Sequence, residues 1–359
     1  MNIGIVGCGV ISREYAANAK AFDSFDIVAC ADLDSTAARS LAAEFGFAST
    51  SVDAIIAEPG IDAILNLTTP AAHVSIIKQS LAARKHVYTE KPLAATAEDA
   101  ARLVEEADER GVRIGCAPDT FLGAPYQTAR ALIDEGAIGE PLSVTAAMLA
   151  GDQTSWHPNP DIFFADGAGP LLDMGPYYLT AIVSLLGPVR RVAGFASTRV
   201  LERTIEIGVR TGQRFTAATP THTAGLLELE SGVVGTLVAS FETSGQYVAE
   251  IEVQGTEGLL RLPDPNSFDG PVRLRHGRGE WQEVPFAARG AQDGRGIGLH
   301  DMVESIGAGR RHRASAELAW HVVDVARSIL RSSDEGRTAS IETDAVRPAR
   351  LPVRASAAH

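Results

Sequence analysis

Two groups of residues in this chain have the types and spacing to do chemistry. The stretch "GIVGCGVIS" sets Gly7-x-Gly9-x-x-Ser12 directly after a short apolar run, and Asp32 follows Ser12 by 20 residues at the end of a second run. In a dinucleotide-binding turn the first glycine allows the bend and the second lets backbone approach a pyrophosphate. The N–H groups of the following helix then face its negative charge. Ser12 is small enough to replace the third glycine. An acid at position 32 would accept hydrogen bonds from the adenine ribose hydroxyls. It would meet a 2′-phosphate as like charge, so NAD is favoured over NADP. The second group is "LLDMGPYYLT", where Asp173 and Tyr177 stand four apart. On a helix they would share a face, while Tyr178 would point about 100° away and pack. Pro176 between them removes a backbone donor and favours a kink or a disturbed first turn. Taken alone, Tyr177 reads as a half-buried aromatic with its hydroxyl at a polar edge.

The elements around these residues fall into two grammars. Up to about residue 120, apolar runs ("IGIVG", "DIVACAD", "DAILNLT", "HVYTE", "RIGCAP") alternate with helical stretches. That is the pattern of a parallel sheet covered on both faces. Thr96 and Asp99 form a capping box that opens an amphipathic helix ending at Gly111. Beyond residue 120 come a helix, a strand, the loop "GDQTSWHPNPDIFFADGAGP" and the Tyr177 segment. A run of strands joined by turns such as Ser231-Gly232 follows, then two helices, and a polar tail after about residue 333 expected to be loosely held. The expected fold is α/β. A doubly wound domain over residues 1–120 precedes a C-terminal α+β domain, residues 121–359, built on a large open, mostly antiparallel sheet.

Composition sets outer limits. A chain of 359 residues exceeds what one core usually serves. Its 45% apolar and 21% charged residues are those of an ordinary globular protein. A net charge of −13 repels phosphate backbones and anionic lipid, which argues against nucleic-acid and membrane partners. Cys8, Cys30 and Cys116 are odd in number and lack metal-type spacing, as suits reduced thiols in the cytoplasm. The opening "MNIGIVGCG" already reads as strand and turn, leaving no room for a signal peptide. No apolar run reaches the roughly 18–20 residues of a membrane span, and no metal-ligand constellation stands out.

Further markers carry a resemblance. "TEKPLA" places Glu90-Lys91-Pro92 at a strand end, and "LNLTTPAAH" places Thr68, Thr69, Pro70 and His73 after an earlier strand. With the glycine turn and "GAGPLLDMGPYYLTAIVSLLG", the chain resembles the Gfo/Idh/MocA oxidoreductases, the family of glucose–fructose oxidoreductase and inositol dehydrogenase. The resemblance implies a Rossmann domain, a second domain whose open sheet makes the subunit contact of a homodimer or homotetramer, and hydride transfer between a nicotinamide and a sugar, polyol or keto-sugar. It implies a cofactor site of Gly7, Gly9, Val10, Ile11, Asp32, Thr68, Thr69, Pro70, His73, Glu90 and Lys91. His73 is expected to pack near the cofactor, and Glu90 either to contact the nicotinamide ribose or to fix its loop. Lys91 matches the family's active-site lysine and Asp173 its acid, but Tyr177 stands where the family carries histidine. Tyrosine can do that work if a lysine ammonium nearby lowers its ordinary pKa of about 10. Tyr177 then takes the hydroxyl proton, Lys91 holds the substrate oxygen, and Asp173 binds a neighbouring hydroxyl or orients Lys91. Trp156 and His157 complete the expected substrate site, since sugars offer C–H faces as well as hydroxyls. The missing histidine keeps two other classes in view. One is a lyase or glycosidase that oxidises its substrate only transiently; the other is a dinucleotide-binding regulator without turnover.

Overall fold

Near-continuous apolar runs separated by amphipathic helices do become a parallel sheet covered on both faces. The computed structural model describes residues 1–151, 153–243, 247–286 and 293–352. These divide into two compact units. One comprises residues 1–123 with 293–320 and 351–352; the other comprises the described residues of 124–286 and 321–350.

In the first unit the chain runs β1 (Asn2–Val6), α1 (Val10–Ala19), β2 (Asp26–Ala31), α2 (Ser35–Phe45), β3 (Ala48–Thr50) and α3 (Val52–Ala57). It continues through β4 (Ala63–Asn66), α4 (Pro70–Ala82), β5 (His86–Thr89), α5 (Ala97–Arg110) and β6 (Ile114–Cys116). The strands pair in parallel in the order β3-β2-β1-β4-β5-β6. Sequence order reverses between β1 and β4, which is where open α/β sheets take their ligands. One side packs Ile77, Leu81, Val87, Leu103 and Ile114 into a core; the other packs Val6, Ala31, Ile55, Ile64 and Ile76. Each such side chain contributes about 1.5–3 kcal/mol by leaving water. Half of the capping box is present, because the Asp99 carboxylate accepts the Thr96 hydroxyl (3.1 Å) and not its backbone N–H. Thr96 Oγ1 accepts from the Asp99 N–H at 3.1 Å, and α5 ends on Gly111 at φ 68°.

The second unit starts with α6 (Ala124–Asp134) and β7 (Pro141–Leu149), followed after a long loop by α7 (Pro170–Asp173) and α8 (Gly175–Leu186). Its remaining strands are β8 (Val189–Ser197), β9 (Glu202–Thr204), β10 (Arg214–Thr216), β11 (His222–Leu229), β12 (Val234–Ser240), β13 (Val248–Gly255), β14 (Gly258–Leu262), β15 (Val272–His276) and β16 (Gln282–Val284). Two helices follow, α9 (Ile297–Gly307) and α10 (Ala316–Glu335), and then β17 (Ala339–Ser340). Residues of α9 group with the first unit. Among the described residues nine strands form one sheet, β16-β15-β14-β13-β7-β12-β11-β8-β17. Every pairing is antiparallel except β7 with β12. Strands β9 and β10 make a separate ribbon. One sheet face accepts α10 closely because Gly194 and Gly225 have no side chain. A Cβ on Gly194 would lie 2.6 Å from the Ile329 carbonyl oxygen. On the opposite face Phe195 is 80% exposed and Leu226 55%.

The tail is not loosely held as far as residue 350. Residues 339–340 extend the sheet beside β8, Arg347 reaches the Leu185 carbonyl, and Arg350 pairs with Glu135. Polar composition misled because these arginines satisfy carbonyls and acids within the fold. Residues 353–359 lie outside the described set.

Candidate functional site

In the first unit every expected cofactor residue lies within the loops or first helical turns that follow β1, β2, β4 and β5. Gly7 cannot be replaced without moving the sheet. Its φ is 99°, and a Cβ there would sit 2.5 Å from the Leu67 carbonyl carbon. A Cβ on Gly9 would meet nothing within 4 Å, so its backbone is open to a close-lying ligand. Ser12 is buried and its Oγ donates to the Gly9 carbonyl at 2.6 Å, closing the turn. Asp32 faces this turn from the next strand. Its Oδ2 accepts the Cys8 N–H at 2.7 Å and its Oδ1 the Asp34 N–H at 2.8 Å.

Helix starts add an independent sign. Helices α2, α3 and α5 are capped by the side chains of Asp34, Ser51 and Thr96. The two helices beside the β1/β4 crevice are not: α1 starts on Gly9 and α4 on Thr69, neither with a side-chain cap. Uncapped N–H groups at two neighbouring helix starts, an open glycine between them and an acid at the end of β2 fit a dinucleotide's pyrophosphate and ribose. Val10 is 93% exposed at the same edge. Thr68 is half-buried there, its Oγ1 donating to Asn66 Oδ1 at 2.7 Å.

The Glu90-Lys91-Pro92 segment is gripped on both sides of the lysine. Glu90 Oε2 accepts the Lys91 N–H at 3.0 Å, and its Oε1 accepts the hydroxyl of Tyr15 at 2.9 Å. Beyond the lysine, His73 Nδ1 lies 2.7 Å from the Pro92 carbonyl oxygen and Nε2 lies 3.0 Å from that of Thr68. His73 has no exposed surface, and burial pushes its pKa below the ordinary histidine value. The buried ring braces two loops, its two nitrogens facing the Pro92 and Thr68 carbonyls. Glu90, at the least, fixes its loop. Of the chain's 32 lysines and arginines only Lys20, Lys78, Lys85 and Lys91 are lysines. Lys91 is half-buried at a strand's C-terminal end.

In the second unit Asp173 and Tyr177 do not share one uninterrupted helix. Helix α7 ends at Asp173, Met174 is the junction (φ −101°, ψ −27°), and α8 starts at Gly175. Pro176 falls in the first turn of α8, where a missing N–H costs nothing. Tyr177 is 7% exposed, and its N–H donates back to Met174 at 3.1 Å. Tyr178 is fully buried, as expected of a packing residue.

The loop ahead of α7 presents an aromatic cluster. Trp156 is 58% exposed and meets His157 edge-on at 5.4 Å, and His157 meets Phe163 edge-on at 5.0 Å. His157 Nδ1 accepts the Asn159 N–H, which leaves Nε2 as the donor of the neutral ring. The sequence did not point to what shapes this loop. Arg210, from the β9–β10 ribbon, donates to both oxygens of Asp161 (2.8 and 3.3 Å) and to Asn159 Oδ1 (3.2 Å). Its distance of about fifty residues from its partners leaves no local signal. Tyr15 was equally hidden, since an aromatic in an amphipathic helix reads as core.

Comparison with known proteins agrees with this geometry. Residues 1–117 match the family described as "Oxidoreductase family, NAD-binding Rossmann fold". Residues 126–261 match the "GFO/IDH/MocA C-terminal domain". The chain is 28% identical to D-xylose dehydrogenase of Paenarthrobacter nicotinovorans, over 82% of this chain and 80% of that one. It is 27% identical to 1,5-anhydro-D-fructose reductase of Ensifer adhaerens, over 95% and 98%. Among solved structures, levoglucosan dehydrogenase in complex with NADH and L-sorbose superposes with a TM-score of 0.84 at 21% identity, covering 96% of this chain and 99% of that one.

Proposed function

The chain belongs to the Gfo/Idh/MocA oxidoreductase family, with an NAD-binding Rossmann domain, and from that premise we propose an NAD-dependent dehydrogenase of a sugar or polyol, or in reverse a keto-sugar reductase. The bound nicotinamide supplies the hydride acceptor. Gly7, Gly9, Val10 and Ile11 hold the pyrophosphate at the start of α1. Asp32 takes the adenine ribose, and Thr68, Thr69, Pro70 and Glu90 line the crevice. Lys91 holds the substrate oxygen and relays its proton. Tyr177 takes the hydroxyl proton, and Asp173 binds an adjacent hydroxyl or orients the lysine. Trp156 and His157 offer a ring face and a donor to the sugar. Named relatives that oxidise xylose and reduce anhydrofructose support this substrate class.

The observation that carries the reading is the double anchoring of Lys91, by Glu90 on its N–H and by His73 beyond Pro92. A lysine held on both sides at the sheet edge where dinucleotides bind supports a role in chemistry over one in solubility. Three buried, unpaired thiols support a reducing, cytoplasmic setting. The uncovered sheet face with Phe195 and Leu226 supports a homodimer or homotetramer. Light scattering at micromolar concentration checks the assembly.

The deciding experiment is a panel of sugars and polyols with NAD and NADP, read at the reduced-nicotinamide band. On the best substrate, Lys91→Ala should lower kcat about 10³-fold and Tyr177→Phe about 10²-fold, the range of general acid–base groups. Full turnover in both variants sinks the assignment.

A further inference from the structure

One tyrosine links the dinucleotide helix to the lysine. Tyr15 lies in the second turn of α1, the helix whose start holds Gly9 and Val10. Its ring is 2% exposed. A bare phenylalanine would satisfy that packing without bringing a polar atom inside, so the hydroxyl needs a purpose. It donates to Glu90 Oε1 at 2.9 Å, and the other oxygen of that carboxylate accepts the Lys91 N–H at 3.0 Å. The chain of contacts is therefore phenol, carboxylate, lysine backbone, with both carboxylate oxygens occupied along it.

We propose that Tyr15 is a positioning residue for Lys91, holding the Glu90 carboxylate so that the lysine backbone, and with it the direction of the amine, is fixed to the cofactor-binding helix. Burial keeps the phenol protonated far beyond the ordinary tyrosine range, so it is a permanent donor and takes no part in proton transfer. The other side of Lys91 is held independently, by His73 on the Pro92 carbonyl. Loss of Tyr15 alone thus loosens the Glu90 carboxylate at the N–H of Lys91, while the His73 contact and the Glu90 N–H on the Asn66 carbonyl (2.9 Å) keep the loop as a whole in place. The inference rests on the reading that Lys91 handles substrate oxygen, because only then does its aim matter to turnover.

The test uses Tyr15→Phe, which keeps the ring and deletes the hydrogen bond. The chain has four lysines, so ¹⁵N-lysine labelling yields four backbone signals, with that of Lys91 identified by its absence in Lys91→Arg. The Lys91 signal should shift in Tyr15→Phe while those of Lys20, Lys78 and Lys85 stay. On the best substrate kcat should fall about 10-fold, the scale of a lost charge-assisted hydrogen bond and a misaimed group, with the NADH dissociation constant unchanged within about twofold. Glu90→Gln alters the same link from its other end, should move the same signal, and serves if Tyr15→Phe does not fold. An unmoved Lys91 signal overturns the proposal, as does a moved signal with unchanged kcat. A loss of NADH affinity matching the loss of kcat also overturns it, because Tyr15 would then act through the cofactor helix. If Lys91→Ala keeps full turnover, the functional reading fails instead, and the labelled spectra still report the link.

Discussion

The two units hold their functional segments by different means. In the first, the decisive bonds are made to backbone: Asp32 to the N–H groups of Cys8 and Asp34, Glu90 to the N–H of Lys91, His73 beside two carbonyls. In the second, the Trp156–Phe163 loop takes its shape from side chains, chiefly the guanidinium of Arg210 on Asp161 and Asn159. Backbone bonds at a parallel sheet edge repeat with the fold and tolerate little change. A loop tied by one arginine can be retuned by altering the tie. Under the proposed function, the contrast predicts cofactor use fixed by the fold and substrate choice set by the loop.

Gly7→Ala should break the first half of this comparison most sharply. The new Cβ would sit 2.5–2.6 Å from the Leu67 carbonyl group, at a φ that L residues rarely adopt. The strand end must move, costing roughly 2–4 kcal/mol and weakening NADH binding by about 100-fold or more. Gly9→Ala is the control, since its Cβ meets no protein atom. It should melt like the wild type and lose NADH affinity only through contact with the ligand. Thermal melts and NADH fluorescence titration check both. Wild-type NADH binding by Gly7→Ala would show that the backbone turn is not what holds the cofactor.

Arg210→Ala addresses the other half with a smaller effect. Loss of the fork on Asp161 should raise the KM for the sugar about 10-fold and leave NADH affinity unchanged. Arg210→Lys should rescue little, because an ammonium cannot make the two-pronged contact. If NADH affinity drops alongside, the division of labour between the two units fails.

The same contrast explains what could be read from sequence. The glycine turn, Asp32, the Thr96 cap with its Gly111 stop, and the position of Lys91 before Pro92 all express local rules, and each was visible in a few consecutive residues. Hidden were the features made by partners far apart in the chain. Tyr15 meets Glu90 75 residues on. Asp119 meets the N–H groups of Gly296 and Gly298 more than 170 residues on. The grouping of residues 293–320 with the first unit and the parallel pairing of β7 with β12 have no local mark either. The helix break at Met174 was only half legible, since Pro176 announced a disturbance but not where α7 would end.

The effect that nearly cancels in the wild type concerns two buried groups, one in each unit, whose pH dependences oppose each other. Asp119 has no exposed surface, and burial raises its pKa from 3.8 to about 6 despite nearby Arg295 and the two glycine N–H donors. Its carboxyl is easier to protonate folded than unfolded. Its contribution is therefore complete below about pH 4 and lost as pH rises through 6. His321 is also fully buried, with Nε2 accepting the Val189 N–H and Nδ1 beside Thr343 Oγ1. Burial lowers its pKa from 6.5 to about 4. Its contribution is present above pH 6.5 and lost as pH falls through 4. Between pH 4 and 6.5 the two slopes run in opposite directions, so the wild-type melting temperature should vary little from these groups. Asp119→Asn, which can still accept the glycine N–H groups, should leave a melting temperature that climbs with pH across that window. His321→Gln should leave one that descends. Each pKa unit is worth about 1.4 kcal/mol, or a few degrees for units of this size. Calorimetry across the window then tells whether the units also melt apart. If they do, Asp119→Asn moves one transition and His321→Gln the other. A single transition that responds to both makes the two units one cooperative body despite their different ways of holding a site.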